Sequence, residues 1–169
     1  MNTNLHKSII INFLLLFSVQ YMAAQNRLWV SSTHSLKLDL KSSHRAGGAP
    51  SFMVDDTKWL NYQIQLEPSQ SSYSISVQIA SGSLPDGFRL KVKASDFVGT
   101  NGGDTGNPTG EIYLTHQPQI LISNIGTSYT GSGTGLGHQL SFSVEISKFK
   151  NIGADTPGIN LLYTINQDL

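Results

Sequence analysis

Few residues of this chain have the types and spacing that catalysis requires. The chain has no cysteine, which excludes a cysteine nucleophile, a thiolate zinc site and a disulfide framework. No G-x-S-x-G turn is present to expose a serine nucleophile. The histidines after residue 24 lie in polar or turn-like stretches without a partner at catalytic or metal-ligand spacing: His34, His44, His116 and His138. A triad assembled in space stays open, but the sequence predicts a protein that is not an enzyme and needs no cofactor.

One loop gathers oxygen-bearing side chains of the kind that calcium prefers. Asp104, Asn107 and Glu111 lie close together in the sequence, and carboxylate and amide oxygens are calcium ligands. Their order does not match an EF-hand, and Pro108 with Gly110 would set the backbone differently. These three residues are therefore weak metal candidates, and solvated loop acids are the alternative.

Phosphate and nucleic-acid binding find no support in the sequence. The glycine-rich segment 131–137 matches neither a dinucleotide-binding nor a Walker loop, and it precedes a predicted strand rather than a helix. Segment 131–137 is therefore interpreted as a flexible turn or bulge, with a loop at a contact surface as the alternative. The 11 Lys and Arg residues balance the 11 Asp and Glu residues, so no excess of positive charge favours nucleic acid or an anionic membrane.

The aromatic residues divide into two groups. Three tyrosines fall in register with the apolar faces of their predicted strands and are expected in the core: Tyr62, Tyr73 and Tyr163. Three other aromatic residues lack such a place and are the candidates for an exposed ligand surface, for example one that binds a glycan: Trp29, Trp59 and Tyr129.

The elements that must position these residues are short strands. Apolar and polar residues alternate with period two, which is typical of half-buried strands, in segments 36–40, 60–66, 73–79, 88–92, 112–114, 120–122, 140–146 and 159–165, with a weaker segment at 28–30. Glycine- and proline-containing turns separate them. No sustained helical periodicity is present. The pattern predicts an all-β protein, an antiparallel β-sandwich of eight or nine strands, with a barrel as the alternative.

The amino terminus is typical of an export signal. Lys7 precedes an apolar run from Ile9 to Val19, and small residues follow at Ala23 and Ala24. The run is about half of the roughly 20 residues that a membrane-spanning helix needs. We expect residues 1–24 to be a signal peptide, with an uncleaved membrane anchor as the alternative, and residues 25–169 to be a single domain in which 25–35 are a candidate flexible leader. No later segment is apolar enough to enter lipid. The protein is then exported to the periplasm, the cell surface or the medium.

The alternating segments near the two ends carry a family resemblance. They comprise Leu36, Leu38 and Leu40 on one side and Ile159, Leu161, Tyr163 and Ile165 on the other. A small exported all-β chain with such ends resembles the fimbrial subunits of the chaperone–usher route and the spore-coat U type domains. The resemblance implies an immunoglobulin-like, pilin-like sandwich with a missing strand, which a periplasmic chaperone and then a neighbouring subunit supply through these residues.

Two functions follow as hypotheses. The first is a non-enzymatic structural or adhesive protein, a fimbria-like or surface-coat subunit that acts through strand and surface contacts. The second is a self-contained secreted module that binds carbohydrate or protein through Trp29, Trp59 or Tyr129.

Overall fold

The computed structural model describes residues 26–32, 40–41, 51–52, 54–146 and 158–168, and the structural statements below concern these residues. The predicted signal peptide, His34, Leu36, Leu38 and His44 lie outside this set. Leu40 lies in a short strand whose side chains are not described. This described part of the chain holds no helix, and therefore none that is long and apolar enough to cross a membrane.

Twelve strands are present in the described ranges. They are β1 (Arg27–Ser31), β2 (Leu40–Lys41), β3 (Ser51–Phe52), β4 (Asp55–Ile64), β5 (Ser72–Ser81), β6 (Phe88–Val98), β7 (Asn107–Pro108), β8 (Glu111–Tyr113), β9 (Gln119–Ile125), β10 (Ser128–Tyr129), β11 (Gly137–Ile146) and β12 (Asn160–Asp168). The number exceeds the eight or nine expected because two-residue strands are too short to show alternation. The all-β prediction is confirmed. Residues 27–31 form a strand, so this part of segment 25–35 is not a flexible leader.

The strands form antiparallel sheets. A six-stranded sheet has the order β1-β4-β11-β6-β8, with β10 also paired to β4, and a four-stranded sheet has the order β12-β5-β9-β7. The short strands β2 and β3 pair with each other. The sheets do not close into a barrel, so the barrel alternative is wrong.

One hydrophobic cluster contains side chains from both of the larger sheets. On β4, Leu60 and Tyr62 are completely buried in this cluster, and on β5 so are Ile75 and Val77. The cluster also includes Leu140 and other residues of β6, β9 and β11. Burying an aliphatic or aromatic side chain stabilises the fold by roughly 1.5–3 kcal/mol, so this shared cluster is the main reason that these strands form. The prediction that Tyr62 and Tyr73 are core residues is confirmed, and Tyr163 packs against the cluster while half-buried.

The edges of the two sheets differ in length. At one side the edge strands are β7, which has two residues and contains Pro108, and β8, which has three. Short edges and proline are features that prevent further pairing. At the other side the edge strands are β1, with five residues, and β12, with nine. The second side therefore offers far more unpaired backbone among the described strands.

Candidate functional site

The outer surface of the six-stranded sheet brings the three candidate ligand aromatics together. Because Leu60 and Tyr62 point into the core, Trp59, Asn61 and Gln63 point to the other side of β4. Residues that pair directly across antiparallel strands share a side. Trp29 pairs with Asn61 and Tyr129 pairs with Gln63, so both lie on this side. Gln139 joins them because it pairs with Trp59. We call the six residues the aromatic face: Trp29, Trp59, Asn61, Gln63, Tyr129 and Gln139.

Asn61 fixes the floor of the aromatic face. Its side chain is fully buried, and it uses both ends of the amide. Ser31 Oγ donates a hydrogen bond to Asn61 Oδ1 at 2.6 Å, and Asn61 Nδ2 donates to the carbonyl oxygen of Leu136 at 2.8 Å. The side chain thus ties β1 to the loop that precedes β11. Buried polar groups with both partners present hold a local geometry firmly.

The glycine-rich segment 131–137 borders the aromatic face. It connects β10 to β11 and has positive φ at Gly131, Gly133, Gly135 and Gly137, a conformation that glycine adopts without steric cost. Thr130 anchors its start, since Tyr62 N donates a hydrogen bond to Thr130 Oγ1 at 2.7 Å. The segment is a loop beside the aromatic face, and its role as a contact surface stays a prediction.

A charged cluster occupies the other end of the same outer surface. Lys91 Nζ lies 3.0 Å from Glu111 Oε1 and 3.0 Å from Glu145 Oε2. Tyr113 donates its hydroxyl proton to Glu145 Oε2 at 2.8 Å, and Arg89 lies 5.4 Å from the centre of the Tyr113 ring. The carboxylates of Glu145 and Glu111 raise the pKa of Lys91, and Lys91 together with the Tyr113 hydroxyl lowers the pKa of Glu145. The cluster satisfies its own charges and joins β6, β8 and β11.

The three weak metal candidates lie on different elements. Asn107 belongs to β7 in the four-stranded sheet, whereas Glu111 belongs to β8 in the six-stranded sheet and faces Lys91. Asp104 is exposed in the loop before β7, with its backbone paired to Thr127 and Gly126. Among the residues that the structure describes, no group of three or more His, Cys, Asp or Glu side chains could hold a metal ion.

His138 corrects one sequence interpretation. It is not in a polar or turn-like setting but is completely buried in β11, stacked on Tyr62 with ring centres 5.7 Å apart. Its Nδ1 lies 2.8 Å from the Ser95 carbonyl oxygen and its Nε2 lies 2.9 Å from the Tyr62 hydroxyl, which donates to the carbonyl oxygen of Thr105. Burial lowers the pKa of His138 and raises that of Tyr62. Both ring nitrogens are thus used in structural contacts.

The predicted carboxyl-terminal contact residues lie along β12. Leu161, Tyr163 and Ile165 face the core and are half-buried, while Leu162 on the other side is 47% exposed. Ile159 lies just before the strand and also contacts the core cluster. Burial raises the pKa of the Tyr163 hydroxyl. Leu161, Tyr163 and Ile165 therefore share the core-facing side of β12, whereas their proposed counterparts Leu36 and Leu38 are outside the described ranges.

Comparison with protein-family models, with curated proteins and with solved structures finds no match to this chain.

Sequence reasoning missed the amide side chains of the aromatic face. Asn61, Gln63 and Gln139 read as ordinary polar positions of alternating strands. Strand alternation could have found two of them, because Asn61 and Gln63 must lie on the same side as Trp59 if residues 60 and 62 are buried. The place of Gln139 depends on the pairing of β11 with β4, which alternation alone does not predict.

Proposed function

We propose that this protein is an exported, non-enzymatic β-sandwich subunit of a fimbria-like or coat-like surface assembly, and that it acts by accepting a strand along β12. The single observation that carries the proposal is the outer edge of β12. This strand pairs with β5 on one side, and no described strand pairs with it on the other. Along this nine-residue strand, about 30 Å long, the backbone donors and acceptors of the outer edge have no strand partner among the described residues.

The sandwich part of the proposal is supported by the core. Two antiparallel sheets that contribute to one hydrophobic cluster bury their inner faces together when they stack. At the β1 and β12 side, this cover is incomplete. Val30 shares the core-facing side of β1 with Leu28 because it pairs with Leu60, yet it is 39% exposed. An added strand would cover such side chains.

The composition of β12 also favours strand addition. Natural proteins protect long edges with charge, proline or bulges. In β12 the register shifts between Asn160 and Leu161 and the strand ends at the charged Asp168, but residues 161–167 between them contain no charged residue and no proline. Main-chain hydrogen bonds supply affinity in strand addition, and alternate side chains supply specificity. On this proposal, the half-buried side chains of Leu161, Tyr163 and Ile165 contact the alternate residues of an incoming strand.

The experiment measures assembly of the purified protein against concentration by sedimentation velocity. We expect concentration-dependent oligomers that Leu162→Lys suppresses, because a charge on an exposed edge position discourages pairing. The matched control is Gln78→Lys, which places the same charge on the same face, one strand inward, directly opposite Leu162. Urea unfolding of each variant checks that the fold is preserved.

Two outcomes contradict the proposal. A protein that sediments as a monomer at every concentration, with cooperative unfolding, has no need of a donated strand. Equal suppression of assembly by both lysine variants places the contact on the sheet surface rather than on the β12 edge.

A further inference from the structure

We infer that the aromatic face binds a neutral oligosaccharide. This site is on the six-stranded sheet and does not use β12, so the inference does not depend on strand addition. A protein subunit can carry both features, one for assembly and one for a ligand.

The chemistry of the aromatic face matches that of a sugar ring. A pyranose has an apolar side made of C–H groups and a rim of hydroxyls that both donate and accept hydrogen bonds. Trp29, Trp59 and Tyr129 supply flat apolar surfaces, each with one polar group. Tyr129 is 54% exposed, and both tryptophans are partly exposed.

Two amide side chains lie among these rings. Gln63 is exposed and pairs with Tyr129, and Gln139 is partly exposed and pairs with Trp59. An amide presents a donor and an acceptor side by side, which suits two adjacent hydroxyls. Gln139 Nε2 already donates to the Asp56 carbonyl at 2.7 Å, so its remaining hydrogen-bonding capacity lies in the amide oxygen and the second N–H.

The order of the rings along β4 indicates an extended ligand. Trp29 pairs with the residue two positions after Trp59, so the two tryptophans are diagonal neighbours within reach of each other. Tyr129 is level with Gln63, four residues beyond Trp59, a distance of about 13 Å along the strand. A chain of several sugar units, rather than a single one, spans this surface.

The distribution of charge favours a neutral ligand. Among the described residues that pair with Trp59, Asn61 and Gln63, one is charged. It is Arg27, which lies opposite Gln63 at the margin of the aromatic face. Farther along the same sheet surface, Lys91 forms ion pairs with Glu111 and Glu145, and the exposed Lys93, which pairs with Ser141 of β11, lies outside the aromatic face. Recognition of an acidic glycan would require unpaired cations in the site, and the aromatic face offers uncharged amides and rings instead.

The supporting structure is rigid at the centre and adaptable at the rim. Asn61 is hydrogen-bonded at both ends of its amide and ties β1 and the loop before β11 to β4, so the strands that carry Trp29 and Trp59 do not have to be organised on binding. The loop of alternating glycines at 131–137 lies beside Gln139 and can adjust to different branches, since Gly133 and Gly135 have positive φ and open space around them.

The test is binding of purified protein to a panel of oligosaccharides of β-linked glucose, N-acetylglucosamine, galactose and mannose, followed by tryptophan fluorescence titration with the best binder. We expect at least one neutral oligosaccharide to bind. Tyr129→Ala and Trp29→Ala should each weaken it about tenfold or more, as for aromatic residues at the centre of a contact. Tyr113→Ala is the matched control, because Tyr113 is also exposed on this sheet surface but lies in the charged cluster.

Circular dichroism and urea unfolding confirm that each variant is folded, and Gln63→Ala provides a milder variant if a tryptophan substitution disturbs β1 or β4. The inference is overturned if no member of the panel binds at millimolar concentration, if binding is confined to acidic glycans added as a comparison set, or if Tyr129→Ala and Gln63→Ala bind as tightly as the unaltered protein. Normal oligomer formation by a variant that has lost sugar binding separates this site from the assembly edge.

Discussion

Two glycines of the same loop have nearly the same backbone conformation but very different surroundings. Gly135 and Gly137 have φ of 86° and 87°. A Cβ at Gly137 would lie 2.4 Å from the Leu60 carbonyl oxygen and 2.6 Å from Asn61 Nδ2, whereas a Cβ at Gly135 would meet no atom within 4 Å. Alanine at either position incurs the strain of the left-handed region, about 1–2 kcal/mol. At Gly137 it also forces β11 away from β4.

The steric clash at Gly137 determines how much more unfolding free energy Gly137→Ala loses than Gly135→Ala. Because the obstructing atoms at Gly137 are the backbone of β4 and a buried amide, they cannot move freely, and overpacking of this kind costs about 1–3 kcal/mol more. We therefore expect Gly135→Ala to lose about 1–2 kcal/mol of unfolding free energy and Gly137→Ala about 2–5 kcal/mol. The reduction in unfolded-chain entropy is common to both substitutions and cancels in the comparison.

Urea unfolding followed by fluorescence measures both values. With a slope of about 1–3 kcal/mol per molar urea, the midpoint of Gly137→Ala should lie roughly 1 M below that of Gly135→Ala. Equal midpoints with equal slopes would refute the close approach of β11 to β4, and with it the register that places Gln139 beside Trp59.

Three further predictions concern the interior and the charged cluster. Burial lowers the pKa of His138 below the usual value of about 6.5, so its contribution to stability is complete above that pH and is lost as the pH falls through the folded pKa, with a slope of at most about 1.4 kcal/mol per pH unit. Urea unfolding of His138→Gln at several pH values should not show this loss. A difference in unfolding free energy between the two proteins that does not change with pH would contradict the prediction. Lys91→Met should raise the pKa of Glu145 toward its ordinary value, measured by carboxyl NMR titration, and an unchanged titration would show that the Lys91–Glu145 ion pair is absent in solution. Phe142→Ala, at a position 2% exposed, should lower the unfolding free energy by about 3–5 kcal/mol, whereas a loss below 1 kcal/mol would place Phe142 outside the core.

Alternation in the sequence predicts the strands well where one face is buried. Leu60, Tyr62 and Ile64 alternate with polar residues, and all three are core residues of β4. Alternation does not predict the strands β7 and β10, because two residues cannot define a period. They form where a long neighbouring strand has free backbone groups, as β10 does beside β4.

The candidate site depends on pairings that local patterns do not contain. Trp29, Trp59 and Tyr129 are far apart in the sequence, and only the pairing of β1 and β10 with β4 places them on one surface. His138 is also misjudged from local sequence, in this case because a residue expected at the surface is buried. A polar residue near a glycine-rich loop suggests exposure, but its stacking partner Tyr62 lies 76 positions away.

The pairing of β5 with β12 has a consequence for how the molecule folds. At the end of this pair of strands, Ser72 donates a hydrogen bond to Asp168, which lies 96 positions later in the sequence. The pairing of β4 with β11 likewise joins segments that are far apart in the sequence. Chains dominated by contacts between distant segments close their loops late and fold slowly, typically in milliseconds to seconds. We expect a nascent polypeptide of this kind to stay unfolded for a comparatively long time after synthesis.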